Sequence, residues 1–466
     1  MAICIGAAVG LRAPALGLPL DRDAAVYAVI GGSLRDGALP YRDLIDHKQP
    51  LVYPVYGLLD LIAQRSGLVV HLASALVAGC TAWALWLALR PRIGRARAAL
   101  VAAVALVLGA SRYTQGFDLN TEGLLLLLGT LAIVAALVLE RSPSPWTPVL
   151  IGLLCGAAVL TKAVGILLVP AALAPLLLGR PAQALGAVGA LARFTVGAAV
   201  PVAFVVGFFA AHGALADFVT WNWSYNREYA GSLTPSERVD RLRGHPQVLL
   251  LIGASGLAWL IWLRTRGRRD PLTLTLGLWL AGATVGALLG GYGYAHYFVP
   301  VVAPAAVLLV GPPASARSKA AVIGLAVVAL APFVLDLGKT LAQDSRQLAS
   351  RAYGEQARVW WAYEPVGRLL RERGRPGDRL HVASNEAGFY WQSDLVPASR
   401  LLYDSPLALR PELLREVQDD LCRRPPRFLV LPLGTLPDYA SCLGTLGYRS
   451  VTERFAPLRV LERVRS

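Results

Sequence analysis

Residues 119–139 read LNTEGLLLLLGTLAIVAALVL, an apolar run that is long enough to cross a lipid bilayer as a helix. A spanning helix needs about 20 predominantly apolar residues, because the hydrocarbon layer is about 30 Å thick. Similar runs recur near residues 2–20, 68–89, 98–111, 147–161, 163–178, 194–213, 246–263, 271–290, 296–312 and 318–337. The sequence therefore predicts a mainly α-helical, polytopic membrane bundle of about eleven transmembrane helices.

The overall composition supports this prediction. Of the 466 residues, 55% are hydrophobic and only 16% are charged, whereas soluble domains carry about 25% charged residues. The net charge of +15 would suit a nucleic-acid binder only if its cations clustered on one soluble face. The arginines of the first two-thirds instead lie in short gaps between apolar runs. The lipid bilayer is thus the predicted partner, and nucleic acid is excluded.

The basic residues of alternate gaps orient the predicted helices. If the N-terminus is cytoplasmic, every cytoplasmic gap carries positive charge, as membrane topology requires. These cations are Arg90, Arg92, Arg95, Arg97, Arg141, Arg180, Arg264, Arg266, Arg268, Arg269, Arg317 and Lys319. We therefore predict a multi-pass protein of the inner (plasma) membrane, with the N-terminus inside and the C-terminal residues outside.

A change of composition divides the chain into a transmembrane module, residues 1–339, and an extracytoplasmic domain, residues 340–466. The second part alternates short β-like runs, at 380–383 and 428–431, with amphipathic stretches such as 411–421. This alternation predicts a small α/β domain. Cys422 and Cys442 both belong to it, on the side of the membrane where a disulfide is chemically allowed. Their spacing does not decide whether they pair.

The most polar outer segment is the first outer loop, residues 21–50, which reads DRDAAVYAVIGGSLRDGALPYRDLIDHKQP. Residues 24–36 and 50–64 within segment 21–64 resemble juxtamembrane helices that lie along the bilayer surface. One interpretation is a solvated loop or an interfacial anchor of tyrosines and cations. The other is catalytic, because a surface carboxylate can act as general base and nearby cations can neutralise a departing phosphate.

Metal chemistry has little support in this loop. Asp21 and Asp23 are two carboxylates one residue apart, which alone do not fill the octahedral shell that Mg²⁺ requires. We therefore predict no metal and no cofactor, although a divalent ion would be chemically compatible with these ligands.

The first outer loop resembles that of family 39-type GT-C glycosyltransferases, a group that includes protein O-mannosyltransferases and the lipid A aminoarabinose transferase. The resemblance rests on Asp23 followed by Tyr27-Ala, then Pro-Tyr-Arg-Asp at 40–43, then Asp-His-Lys-x-Pro at 46–50. Other segments are similar to later family motifs: 112–116, 120–122, 156–164, 296–304 and 377–400.

This resemblance implies inverting transfer of a hexosyl or pentosyl group from a polyprenyl-phosphate donor to an outer lipid, glycan or protein acceptor. It implies Asp23 as the catalytic base, because Tyr27 then falls in register. Asp21 is the alternative, since Ala24 stands where the family pattern has an acidic residue. Predicted donor phosphate-binding residues are Arg42, Lys48, Arg112 and Lys162. Predicted substrate-binding residues are Tyr27, Tyr41, Asp46, His47, Glu122, His296 and Tyr297.

Structural roles stay open for several of these side chains. Lys162 could extend to the interface and Glu122 could favour a helix N-terminus, while His296 could pack among its tyrosine neighbours. A second functional class also stays open, a transporter or flippase of lipid-linked glycans. That class predicts charges within the spans and repeat symmetry between halves, neither of which is clear in the sequence.

Overall fold

The computed structural model describes residues 1–140, 144–267, 270–311, 316–432, 434–452, 455 and 458–464. The described residues up to Leu341 are mainly helical. The helices are α1 (Ala2–Leu11), α2 (Arg22–Ser33), α3 (Val52–Ile62), α4 (Gly67–Ile93), α5 (Arg95–Gly109), α6 (Thr121–Leu139), α7 (Trp146–Thr161), α8 (Val169–Leu178), α9 (Arg180–Leu185), α10 (Ala187–Ala211), α11 (Leu215–Val219), α12 (Asn226–Gly231), α13 (Pro235–Arg243), α14 (Pro246–Arg266), α15 (Pro271–Leu289), α16 (Val302–Val310) and α17 (Ala316–Leu341). Three arginines of the topology argument, Arg141, Arg268 and Arg269, lie outside the described residues, and so does the side chain of Arg180.

Within the described ranges, six helices are long and apolar enough to cross a membrane, namely α4, α6, α10, α14, α15 and Arg317–Leu341 of α17. The other predicted runs form shorter helical segments: Ala2–Leu11, Arg95–Gly109, Trp146–Thr161, Ala163–Leu178 and Ala295–Val310. The predicted helical fold is confirmed, whereas the count of about eleven spans stays a prediction.

The first predicted run, residues 2–20, is too long. Helix α1 ends at Leu11, and a 3₁₀ turn over Ala13–Ala15 follows it. Pro14 lacks the backbone N–H that a continuing helix would need, which explains why the helix stops here. Residues 12–20 therefore connect α1 to the first outer loop instead of extending a span.

The two predicted juxtamembrane helices are present as α2 and α3, which pack against each other. Gly31 and Gly57 allow this contact, because a Cβ added at Gly31 would lie 2.6 Å from the Gly57 nitrogen. Asp60 of α3 is buried and pairs with Arg35 at 2.9 Å, so its charge is balanced within the protein. These contacts make residues 22–62 a compact helical hairpin, and Asp23 lies in the first turn of its first helix.

The C-terminal residues fold as the predicted small α/β unit. Its helices are α18 (Ser345–Tyr353), α19 (Ala357–Trp360), α20 (Tyr363–Arg373), α21 (Gly388–Ser393) and α22 (Glu412–Arg423). Its strands are β1 (Arg379–Val382), β2 (Val396–Pro397), β3 (Phe428–Leu431), β4 (Tyr448–Thr452) and β5 (Arg459–Arg463). The strand order is β2-β1-β3-β5-β4, parallel across β2-β1-β3 and antiparallel across β3-β5-β4. All four residues of β3 are buried, as expected for a central strand.

Cys422 and Cys442 form a disulfide that joins α22 to the turn before β4, so the open question about their pairing is answered. The bridge closes a loop between residues that are 20 positions apart. We expect the Cys422→Ser/Cys442→Ser double variant to lower the free energy of unfolding of this domain by about 3 kcal/mol, because the unfolded chain regains loop entropy. Pulse proteolysis in urea measures this loss. Reductant should reproduce it in the wild type and have no effect on the double variant.

The first outer loop and the C-terminal domain share one hydrophobic core. The backbone N–H of Ile45 donates to the carbonyl of Arg400 at 2.8 Å, and Arg22 donates through Nε to Glu386 at 2.8 Å. Because apolar burial and these polar contacts act together, the C-terminal domain holds the loop in place over the helix ends. The polar residues of the loop are therefore held both by the packing of α2 against α3 and by contacts with the C-terminal domain.

Candidate active site

Asp21 serves as the N-cap of α2. Its Oδ1 accepts from the backbone N–H of Ala24 at 2.7 Å, and its Oδ2 accepts from the Asn120 side chain at 3.0 Å. Burial, together with the nearby charge of Asp23, raises the pKa of Asp21 to about 6. Both oxygens are thus engaged. Oδ1 caps the first turn of α2, and Oδ2 links α2 to Asn120 at the start of α6.

Asp23 lies one position into the same helix turn, and its side chain is 36% exposed. Its Oδ2 lies 3.0 Å from Lys48 Nζ and 4.0 Å from His296 Nε2. Burial by itself would raise the pKa of Asp23, but the charges of Lys48 and His296 outweigh it and hold the pKa below its usual range. Asp23 is therefore an ionised carboxylate that a substrate can reach.

A second ion pair lies beside the first. Glu122, in the first turn of α6, pairs with Lys162, the residue that ends α7. Its Oε1 also lies 3.9 Å from His296 Nε2, so the histidine stands between two carboxylates. The Lys162 ammonium lies 3.9 Å from the centre of the Tyr297 ring, a cation–π contact.

Six predicted residues thus meet at one place: Asp23, Lys48, Glu122, Lys162, His296 and Tyr297. They come from four separate parts of the chain, and three of them interrupt or follow regular α-helix. Lys162 has extended backbone angles, φ −157° and ψ 129°, and His296 and Tyr297 lie in the 3₁₀ turn Ala295–Val301. The irregular backbone allows these side chains to turn inward beside Asp23. We call this set the acid–base cluster.

Lys48 is held in place by a buried network. Asp46 accepts hydrogen bonds from Tyr53 at 3.0 Å and from Tyr403 at 2.8 Å, and burial raises its pKa. The Tyr41 hydroxyl donates to the Lys48 carbonyl at 2.7 Å. Tyr41 also has a left-handed backbone, φ 73°, which costs energy for a non-glycine residue and often marks a functional turn.

His47 completes this network. Its Nδ1 lies 3.1 Å from the Tyr403 hydroxyl, and burial lowers the pKa of the imidazole to about 3, so the ring is neutral. Its ring packs against those of Tyr225 and Tyr229, with centroids 5.3 and 5.2 Å away. His47 is therefore placed to shape the site, and it adds no positive charge to it.

Tyr403 belongs to the C-terminal domain and was not predicted, because no motif of the sequence distinguishes it. We expect Tyr403→Phe to cost about 1–3 kcal/mol of stability, since buried Asp46 loses a hydrogen bond. Transfer activity should fall as well, because Lys48 is then less well positioned. Tyr439→Phe, which removes a similar hydroxyl contact to Asp404 at 3.1 Å, is the matched control. Thermal unfolding and activity measurements of both variants test this. An equal loss of activity in the two variants would contradict the positioning role of Tyr403.

Three predicted residues have other contacts. Arg42 is exposed and donates to Asp43 at 2.8 Å. Arg112 pairs with buried Asp336 at 3.2 Å, near Arg351. Tyr27 is buried, and within the described part of the chain its hydroxyl has no hydrogen-bond partner. The substrate roles of these three side chains stay predictions, because no hydrogen bond or ion pair in the described ranges joins them to the acid–base cluster.

An aromatic ladder extends from the acid–base cluster to buried Tyr225. Parallel rings follow one another from Tyr225 to Tyr229, Tyr292, Tyr294 and His296. The central pair, Tyr229 and Tyr292, lies 4.1 Å apart with planes inclined by 3°. The density of aromatic residues at 221–229 was the available sequence signal for this feature.

A small cavity opens beside the acid–base cluster. Glu122, Lys162 and Tyr297 form its polar end, whereas Leu125 and Leu168 belong to its apolar wall. This lining suits a ligand that carries both a charged group and an apolar group. Among the described residues, no group of three or more His, Cys, Asp or Glu side chains is arranged to hold a metal ion.

Known proteins share this architecture. The crystal structure of ArnT from Cupriavidus metallidurans bound to undecaprenyl phosphate superposes with a TM-score of 0.62 at 16% identity, covering 100% of this chain and 98% of that chain. The archaeal oligosaccharyltransferase AglB from Archaeoglobus fulgidus, in complex with an inhibitory peptide and a dolichol-phosphate, gives 0.53 at 12%, covering 100% and 74%. The chain has the GT-C glycosyltransferase fold.

A sequence comparison agrees with this fold. Residues 47–206 match the family model described as dolichyl-phosphate-mannose-protein mannosyltransferase. The matched segment includes Lys48, Glu122 and Lys162 of the acid–base cluster, whereas Asp23 and His296 lie outside it. No curated protein matches the chain. The resemblance seen in the sequence is confirmed, and with it the GT-C architecture of apolar helices and a small C-terminal sheet.

Proposed function

We propose that this GT-C protein is an integral-membrane glycosyltransferase that transfers a sugar from a polyprenyl-phosphate donor to an extracytoplasmic acceptor, with inversion at the anomeric carbon. The observation that carries the proposal is the position of Asp23, an accessible carboxylate 3.0 Å from Lys48, beside a cavity whose polar end is the Glu122–Lys162 ion pair and whose walls are apolar. The undecaprenyl phosphate bound to ArnT and the dolichol-phosphate bound to AglB support a lipid-phosphate donor.

In the proposed reaction, Asp23 accepts the proton of an acceptor hydroxyl or amine as that group attacks the anomeric carbon of the sugar. The bond between this carbon and the phosphate oxygen breaks on the opposite face, so configuration inverts. The electron pair leaves with the polyprenyl phosphate. Lys48 and Lys162 stabilise the negative charge that develops on the phosphate.

Donor binding also prepares the base. In the free protein Lys48 neutralises Asp23 and lowers its proton affinity. A donor phosphate that draws Lys48 towards itself weakens this ion pair, and the proton affinity of Asp23 rises. The carboxylate thus becomes a stronger base only when a donor is present. Before the donor binds, Asp23 stays ionised and does not take up a proton from solvent.

The membrane setting follows from the same proposal. The acid–base cluster stands at the ends of the helices that the positive-inside rule places outside an inner (plasma) membrane. Nucleotide sugars are not supplied on that side, so a donor anchored in the lipid is required. The acceptor is a lipid, glycan or protein of the cell envelope, and the C-terminal domain is its proposed docking surface.

Reconstitution in liposomes with a labelled polyprenyl-phosphate hexose or pentose tests the proposal. We expect release of free polyprenyl phosphate together with labelled acceptor when an envelope extract is supplied. Movement of the intact donor between leaflets without cleavage would contradict transfer and support a flippase. Asp36→Asn is the matched control for any aspartate variant, because its side chain is 75% exposed and lies at the far end of the α2 segment.

A further inference from the structure

Arg12, immediately after α1, is an unpaired cation inside the helical bundle. Its side chain is buried, 3% exposed, and Nη2 donates weakly to the Gly116 carbonyl at 3.3 Å. Nε and Nη1 have no hydrogen-bond partner, and in the described part of the chain no carboxylate forms an ion pair with this guanidinium. A buried charge without a partner is costly, and proteins normally supply a counter-ion for it. The charge of Arg12 therefore calls for a partner that the described residues do not supply.

Arg12 lines a small cavity between α4, α5 and α6. Most of its wall is apolar and includes Val77, Leu126 and Val302, with the Ser74 hydroxyl as an additional polar group. Gly123 also lines the cavity, and a Cβ added there would meet no atom within 4 Å. The cavity thus combines one guanidinium with a largely apolar surface.

This cavity is separate from the one at the acid–base cluster, because two elements stand between them. On α6, Glu122 and Leu125 face the cluster cavity, whereas Gly123 and Leu126 face the Arg12 cavity. Adjacent helical residues point about 100° apart, which explains the division. The segment Ala295–Val310 separates the cavities in the same way, with Tyr297 on one side and Val299 on the other.

We propose that the cavity at Arg12 binds the phosphate of an anionic membrane lipid, as a second lipid site distinct from the donor site. Arginine offers paired N–H donors that match phosphate oxygens. The largely apolar wall suits the methylene groups next to a lipid phosphate, which favours a lipid over free phosphate. The site lies near the end of α1 that leads into the first outer loop, and residues of α4, α5 and α6 line it, so a bound lipid would brace α1 against these helices. This inference does not depend on glycosyl transfer.

Thermal unfolding of the delipidated, full-length protein in detergent tests the site. Phosphatidylglycerol should produce a saturable rise in Tm, because a ligand that binds only the folded state stabilises it. Arg12→Met should weaken this response at least about tenfold, since charge-assisted hydrogen bonds are lost. Arg12→Lys should retain part of it. Gly123→Leu, which fills the cavity and leaves Arg12 in place, should abolish the response independently.

The outcomes separate the possible ligands. An equal response of the wild type and Arg12→Met to phosphatidylglycerol would overturn the proposal. So would a full response to inorganic phosphate alone, because the ligand would then be a free anion. Lys162→Met should lose the response to polyprenyl phosphate and keep the response to phosphatidylglycerol. The reverse pattern would place the anionic lipid in the donor site. None of these measurements depends on transfer, so their failure leaves the proposed reaction untouched.

Discussion

Replacing Asp23 with Asn should reduce the transfer rate by about 100- to 10,000-fold, the usual contribution of a general base. The amide has the shape of the carboxylate but cannot accept the acceptor's proton. It also cannot neutralise Lys48, which lies 3.0 Å away. The expected measurement is the rate of polyprenyl phosphate release at saturating donor. Tm should also fall, because Lys48, whose side chain is 15% exposed, loses its partner.

Asp21→Asn is the variant that discriminates between the two aspartates. Asn caps helices about as well as Asp, so α2 should keep its start and most of its stability. Asp21 has both oxygens engaged, with Ala24 and Asn120, and its side chain is buried. We therefore expect Asp21→Asn to retain most of the activity. Loss of activity in Asp21→Asn together with retention in Asp23→Asn would reverse the assignment of the base.

Replacing Lys162 with Met should damage both stability and donor binding. Glu122 is buried and would lose its cationic partner, and such a loss typically costs about 3–5 kcal/mol. Because the Lys162 side chain is 20% exposed, we expect the lower end of that range. The apparent affinity for polyprenyl phosphate should fall as well, since one of the two lysines of the acid–base cluster is gone.

The double variant Glu122→Gln/Lys162→Met separates these two effects. Removing both charges eliminates the unpaired carboxylate, so the Tm should return close to that of the wild type. Donor binding should stay weak, because the cation is still absent. If binding recovered together with stability, Lys162 would be a structural partner of Glu122 and not a ligand of the phosphate.

The sequence alone was sufficient for the helical architecture. Apolar runs of spanning length encode helices locally, because each run must satisfy its own backbone hydrogen bonds in lipid. The resemblance to family 39-type GT-C glycosyltransferases predicted Asp23, Lys48, Glu122, Lys162 and His296 as site residues, within a larger set that extends beyond the acid–base cluster. The structure brings all five within one ion-paired group.

The tertiary structure decided which charges are free to act. Residues 21–50 of the first outer loop presented two aspartates in nearly identical local sequence, and only packing against Asn120 made Asp21 a buried cap. Arg112 pairs with Asp336, which is 224 positions away, and its role in phosphate binding stays a prediction. Tyr403 reaches Asp46 across 357 positions. Helices and polar loops follow from local composition, whereas burial and ion pairing depend on residues that are distant in the chain and meet only after folding.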